Sequence, residues 1–210
     1  MGEPLRRPPG RPRLDDSEEP LTETVLQTAI QLFLRFGYDG VSMDQVAKES
    51  GVTKATVYYY YANKAALLTA SMLHRMEQVR CETESSLKAD KPLRERLIDN
   101  AAGMLASQSG SFDDLMQKAE RMLSEAQLDQ MREAKERMLL LLSDELASAS
   151  QRGEIGSIDP FVTANAFFAL MQMGRMKQAD GLPLFSSPDE AAEHIVGLLW
   201  YGMFPKAGNG

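Results

Sequence analysis

The sequence is poor in the residues that carry most enzyme chemistry. Its single cysteine, Cys81, cannot form an internal disulfide, which fits a reducing compartment. There are two histidines, His74 and His194, on separate segments. No zinc-type His/Cys spacing, phosphate-cradling glycine loop or nucleophile elbow is found. These absences argue against an enzyme, and no metal or cofactor is expected. No stretch approaches the roughly 18 consecutive apolar residues of a membrane span, and no apolar run of signal length follows Met1, so no membrane association and a cytoplasmic location are expected. Clear strand runs of valine, isoleucine and threonine are also missing. Alanine, leucine, methionine, glutamine and glutamate are frequent instead, which predicts an all-α fold. Hydrophobic residues make up 43% of 210, enough for a packed core.

The net charge is −7, and alone it would count against a nucleic-acid binder. Its distribution matters more. Residues 1–14 hold four arginines (Arg6, Arg7, Arg11 and Arg13) against Glu3, a local +3. Residues 65–210 hold 15 basic and 21 acidic residues, a local −6. A basic front on an acidic body can still bind DNA, and the body discourages sideways binding.

Residues 1–20, rich in proline, arginine and acid, are expected to be a mobile arm. From Leu21 the apolar residues Val25, Ala29, Leu32, Phe33 and Phe36 recur at helical spacing, and Gly37 closes that helix. Ser42 followed three residues later by Gln45 reads as a capping box opening a second helix, with Val46 and Ala47 inward. Ser50-Gly51 is a tight turn, Thr53 caps a third helix, and Asn63 caps a fourth that runs from Lys64 to about Ser86. Five further starts or stops follow: Pro92, Ser111, a helix from about Leu128 closed by Gly153, Asp159-Pro160 and Ser187-Pro188.

Three short helices with a glycine turn between the second and third, followed by a long helix, form a helix-turn-helix pattern. The third helix would press one face on its neighbours and leave Lys54, Ala55, Thr56, Tyr59 and Tyr60 open. Lysine can meet a guanine edge or a phosphate, alanine and the threonine methyl can touch a thymine methyl, and hydroxyls can bond phosphates or base edges. A run of four tyrosines is usually partly core, so Tyr58 or Tyr61 is expected to be buried.

The stretch VLQTAIQLFLRFGYDGVSMDQVAKESGVTKATVYYYYANKAALLTA, residues 25–70, resembles the TetR family of bacterial regulators. The resemblance implies a helix-turn-helix DNA-binding domain at 21–65, a ligand-binding and dimerisation domain of about six helices at 66–205, and a tail at 206–210. It also implies that Ser42 and Met43 face a phosphate at the start of the second helix, that Lys54, Ala55 and Thr56 read bases, that Tyr58, Tyr59 and Tyr60 touch phosphates or bases, and that Lys64 meets a phosphate. Tyr61 departs from the phenylalanine common there. Pro9-Gly10-Arg11-Pro12-Arg13 resembles an AT-hook core, in which Arg11 and Arg13 would enter a minor groove; the plainer reading is a nonspecific basic tail.

For the body, the resemblance implies a homodimer through the last two helices. Phe161, Ala164, Phe168 and Met171 on one, and Ile195, Leu198, Leu199, Gly202 and Met203 on the other, are the expected interface; otherwise they complete the chain's own core. The function implied is a repressor released from a palindromic operator, double-stranded DNA, by a small apolar or amphipathic ligand. The alternative is a constitutive or architectural DNA binder, or an activator, without a small-molecule sensor. No pocket residues are read. The 13 methionines suit such a pocket but more commonly fill irregular cores. Cys81 reads as an inert half-buried thiol and His74 as a solvated or satisfied face residue.

Overall fold

A computed structural model of the chain describes residues 15–107 and 111–203. Those residues fold into α1 (Asp15–Phe36), α2 (Met43–Glu49), α3 (Lys54–Tyr60), α4 (Lys64–Leu87), α5 (Leu93–Ser107), α6 (Ser111–Ala119), α7 (Glu125–Gln151), α8 (Pro160–Met171) and α9 (Pro188–Met203). A short 3-10 helix, Met173–Arg175, and an isolated antiparallel bridge between Lys177 and Pro183 lie in the α8–α9 connection. Among the described residues there is no strand, so the fold is all-α. No described helix is long and apolar enough to cross a membrane.

The starts of these helices follow from side chains that satisfy orphan N–H groups. Ser42 accepts from the Gln45 amide at 3.1 Å, Thr53 from Thr56 at 3.1 Å, Asn63 from Ala66 at 2.9 Å and Asp159 from Val162 at 3.0 Å. Three starts differ from the sequence reading. Helix α1 begins at Asp15, within the segment expected to be a mobile arm, and its acidic run is favoured against a helix N-terminus. Helix α7 begins at Glu125 rather than near Leu128, because the Ser124 amide donates to the Gln127 side chain at 3.0 Å. Pro92 sits just outside α5, where its carbonyl accepts from the Arg96 amide at 3.1 Å.

Two cores divide the chain. The first joins Val25, Ala29, Phe33, Val46, Val57, Leu67, Leu68 and Met72 to Leu115, Ala119 and Met131 of α6 and α7. The second joins Leu97, Ala101, Leu142, Leu146, Phe167 and Ile195 with their neighbours on α5, α7, α8 and α9. Helix α4 serves both: Leu67, Leu68 and Met72 belong to the first core, Val79 and Leu87 to the second. At 24 residues it is a rod of about 36 Å that links the two.

The far end of that rod is fastened by Arg96, whose side chain is almost wholly buried. Its guanidinium donates to the carbonyls of Leu87 and Lys91 and reaches Glu145 at 2.7 Å and Glu154 at 3.4 Å. A buried charge held by four acceptors ties the end of α4 to α5 and α7.

Candidate nucleic-acid interface

Gly51, at φ +71°, makes the bend between α2 and α3 in a backbone region that other residues enter only with strain. The Val52 amide closes the bend on the Ala47 carbonyl at 3.0 Å. Helix α3 is then anchored by Val57, fully buried in the first core with Val46 and Ala47. With one fully buried residue in seven, most of α3 is free to face outward.

Lys54, Ala55, Tyr58 and Tyr59 occupy that outward face, and Tyr59 is 79% exposed. Tyr60 is half-buried, edge-on to Tyr59 with ring centroids 5.0 Å apart. Thr56 is half-buried and its hydroxyl lies 2.8 Å from that of Thr53, which leaves its methyl as the freer group. Burial falls on Tyr61 rather than Tyr58. Tyr61 packs against the first core, and burial pushes its phenol above the usual range, so it stays neutral.

Lys54 is not a bare cation. Its ammonium is 2.8 Å from the Asp44 carboxylate and 5.7 Å from the centre of the Tyr58 ring. The hydrogen bond and charge of Asp44 hold Lys54 above the ordinary lysine value, while both side chains remain exposed. Asp44 was not singled out in the sequence; its position in the first turn of α2, across a glycine turn from Lys54, was the available signal.

Two residues assigned to phosphate contact sit differently. Met43, the first residue of α2, is only 6% exposed and packs in the first core, so its side chain is not presented to DNA. Lys64 is turned inward: its ammonium donates to the carbonyls of Tyr38 at 2.9 Å and Val41 at 3.0 Å and lies 4.2 Å from the Tyr38 ring centre. It pins the start of α4 to the α1–α2 turn. Ser42 remains at the surface with its oxygen on the Gln45 amide. Arg11 and Arg13 lie outside the described residues.

On the last two helices, Ala164, Met171 and Ile195 are fully buried in the second core, so they complete this chain's own packing and are unavailable to a partner. Phe168 and Leu199 are half-buried against that core. Phe161 is 49% and Leu198 56% exposed, and Val162 and Tyr201 are exposed beside them in sequence. Gly202 and Met203 end α9, and the Met203 side chain lies outside the described residues.

Two other readings change. Cys81 is exposed, with its sulfur 3.6 Å from a Glu77 oxygen. His74 is half-buried, and its Nε2 has no hydrogen-bond partner among the described residues.

Residues 25–70 match the family model described as bacterial regulatory proteins, tetR family. An uncharacterized HTH-type transcriptional regulator of Bacillus subtilis, YdeS, is 39% identical over 64 residues, which is 30% of this chain; the chain thus spans 30% of that relative's length. A putative TetR-family transcriptional regulator from Mesorhizobium loti superposes with a TM-score of 0.69 at 23% identity, covering 88% of this chain and 97% of that one. The transcriptional regulator FadR from Bacillus subtilis in complex with stearoyl-CoA superposes with a TM-score of 0.66 at 20% identity, covering 85% and 97%.

Proposed function

We propose, from the premise that the chain belongs to the TetR family of bacterial regulatory proteins, that it is a homodimeric repressor which reads a palindromic operator with α3 and releases it when a small molecule binds the body. The observation that carries this reading is the face of α3: Val57 alone anchors the helix, and Lys54, Ala55, Tyr58 and Tyr59 face outward together. Their chemistry suits a major groove, with a cation for guanine or phosphate, a methyl for thymine and phenols for the backbone.

In this reading Tyr59 and Lys54 carry most of the recognition, and Tyr60, Thr56 and Ser42 support it. Lys64 acts as a positioning residue that sets α4 against the DNA-binding module. The division that goes with this reading is a module over 21–65, a sensing and dimerising body over 66–205 and a tail over 206–210, with the arm expected over 1–20 shortened by the start of α1 at Asp15. Ligand sensing draws on α4, which enters both cores, so a ligand that shifts its far end changes the spacing of two third helices in a dimer. Linkage requires that such a ligand prefer the non-binding conformation. The relative that holds stearoyl-CoA shares the fold and supports a sensing body in general.

The test is selection of bound sequences from a random double-stranded pool, with a Lys54→Ala/Tyr59→Ala double variant beside the wild type. A palindromic site that the variant loses is the expected result. Uniform binding of all DNA by the wild type, with a steep salt slope and no selected site, points to the architectural alternative.

Asp44 gives a second expectation. Its carboxylate holds the ammonium that this reading turns toward DNA, so it competes with DNA for Lys54 and its charge repels the backbone. Asp44→Asn is expected to tighten binding to nonspecific DNA by several-fold and to make the salt slope steeper by about one counterion. Titration of a scrambled duplex at several salt concentrations reads this directly, and an unchanged slope removes the competition.

A further inference from the structure

We infer that the groove between α4 and α5 is a binding site for a protonated amine carried on a short apolar chain. This rests on the reading above that the body senses a small molecule, and it names the site and the chemical class. The groove encloses about 60 Å³. Thr83 and Ser86 of α4 and Asn100 of α5 line it with polar atoms, and Val79 and Met104 give it an apolar wall.

Two of those polar atoms are buried and unpaired. Thr83 is 1% and Asn100 5% exposed, and neither Thr83 Oγ1 nor Asn100 Oδ1 has a hydrogen-bond partner among the described residues. The contrast with other threonines of this chain is informative. Thr69 and Thr163, also in helices, turn their hydroxyls back onto the carbonyls four residues earlier, at 2.9 Å and 2.7 Å. Thr83 leaves that bond unmade, although its residue lines the groove. An unmade bond at a buried polar group is costly, and two such atoms, both on residues that line one groove and both shut from solvent, mark a place where a small opening admits a group with hydrogen-bond donors.

The rim selects the sign of that occupant. Glu82 and Asp99 stand at the mouth. Their cations, Arg75 at 3.8 Å and Lys91 at 2.6 Å, form exposed pairs that are weak and exchangeable. Carboxylates at the mouth, oxygen acceptors within and a net acidic body repel an anionic head and attract a cation. The volume sets the size. One water needs about 10–15 Å³ by the same kind of measure, so the groove takes an ammonium with one or two methylenes and leaves the remaining chain along Val79 and Met104 at the open side. The site lies in the last third of α4, the helix that starts at the DNA-binding module, so an occupant bears directly on the link between the cores.

The experiment uses the full chain, with n-butylammonium as the probe and butyrate and 1-butanol as controls of equal chain length. Calorimetry and thermal unfolding are measured for the wild type and for a Thr83→Val/Asn100→Leu double variant, whose replacements keep shape and remove the unpaired atoms. Butylammonium is expected to bind and raise Tm where butyrate and butanol do not. The double variant is expected to lose at least about tenfold in amine affinity, yet to keep or exceed the wild-type Tm without ligand. A stabilised variant that has lost its ligand is the signature of groups kept for binding. Equal response to all three probes, or undiminished amine affinity in the double variant, overturns the inference. So does a wild type indifferent to the amine; where the variant then also melts lower, the two atoms belong to a water-filled structural site. These readouts need no operator, so a failure to find a DNA site leaves them intact. Once an operator is in hand, amine binding without a loss of DNA affinity of at least about fivefold would count against ligand-driven release and not against the site.

Discussion

Leu67→Ala is expected to lower the unfolding free energy by about 2–5 kcal/mol and to remove DNA binding with it. Leu67 is fully buried, yet it stands two residues beyond the three-helix module outlined from the sequence. The first core to which it belongs draws on α1, α2 and α3 and, through Leu115, Ala119 and Met131, on α6 and α7. That core therefore closes only when the module and the body are both present. Truncating Leu67 removes the transfer free energy of one methine and two methyl groups and leaves a cavity in a core built from several helices. Domain stabilities of about 5–15 kcal/mol make that loss a large fraction of the whole. Denaturant unfolding measures it, and a loss below about 1 kcal/mol would mean that the site relaxes and the shared core is loose. The same packing predicts that a fragment ending at residue 65 shows no cooperative unfolding, because it lacks Leu67, Leu68, Met72 and the residues from α6 and α7.

That shared core is the part of the fold that the sequence hid. The local rules were legible: Ser42, Thr53, Asn63 and Asp159 cap the helices they were expected to cap, and Gly51 makes the expected bend. Each of those signals lies within four residues of its effect. Ser124 with Gln127 is a signal of the same kind, and it starts α7 three residues ahead of Leu128. What could not be read was which face of an apolar helix meets what. Met43 stands at the start of a helix, where exposure is expected, but it packs in the first core with residues of α1. Lys64 carries the charge expected of a phosphate contact, but carbonyls 23 and 26 residues earlier claim it. Those partners depend on the path of the chain between α1 and α2, which no spacing rule supplies. Asp44 beside Lys54 is a pair ten residues apart across a turn, and it emerges only once the turn is built.

The same ambiguity governs the last two helices, and there the structure sharpens a test. Helix α8 carries no charged residue, so its sequence offers every side as a candidate interface. The fold divides the candidates. Ala164, Met171 and Ile195 are fully buried in the chain's own core, whereas Phe161, Val162, Leu198 and Tyr201 remain exposed on two helices that pack against each other. Large apolar side chains left exposed on these two helices are the candidate face for the proposed dimer. A Phe161→Glu/Leu198→Glu double variant is therefore expected to be a folded monomer. Exposed substitutions seldom shift stability by more than about 0.5 kcal/mol, but two carboxylates desolvated between like surfaces prevent closure of a symmetric interface. Sedimentation should show the mass halved from that of a wild-type dimer while helical content is kept. Operator affinity should fall by about 10²–10⁴, because the second half-site is then no longer delivered at high effective concentration. Ile195→Glu is the contrasting variant: its charge would enter the second core, so it should fail to fold rather than fail to pair. If the double glutamate variant remains dimeric with full operator affinity, the partner lies on another face. If Ile195→Glu yields a well-folded monomer, α9 turns a different side to the core than the one described.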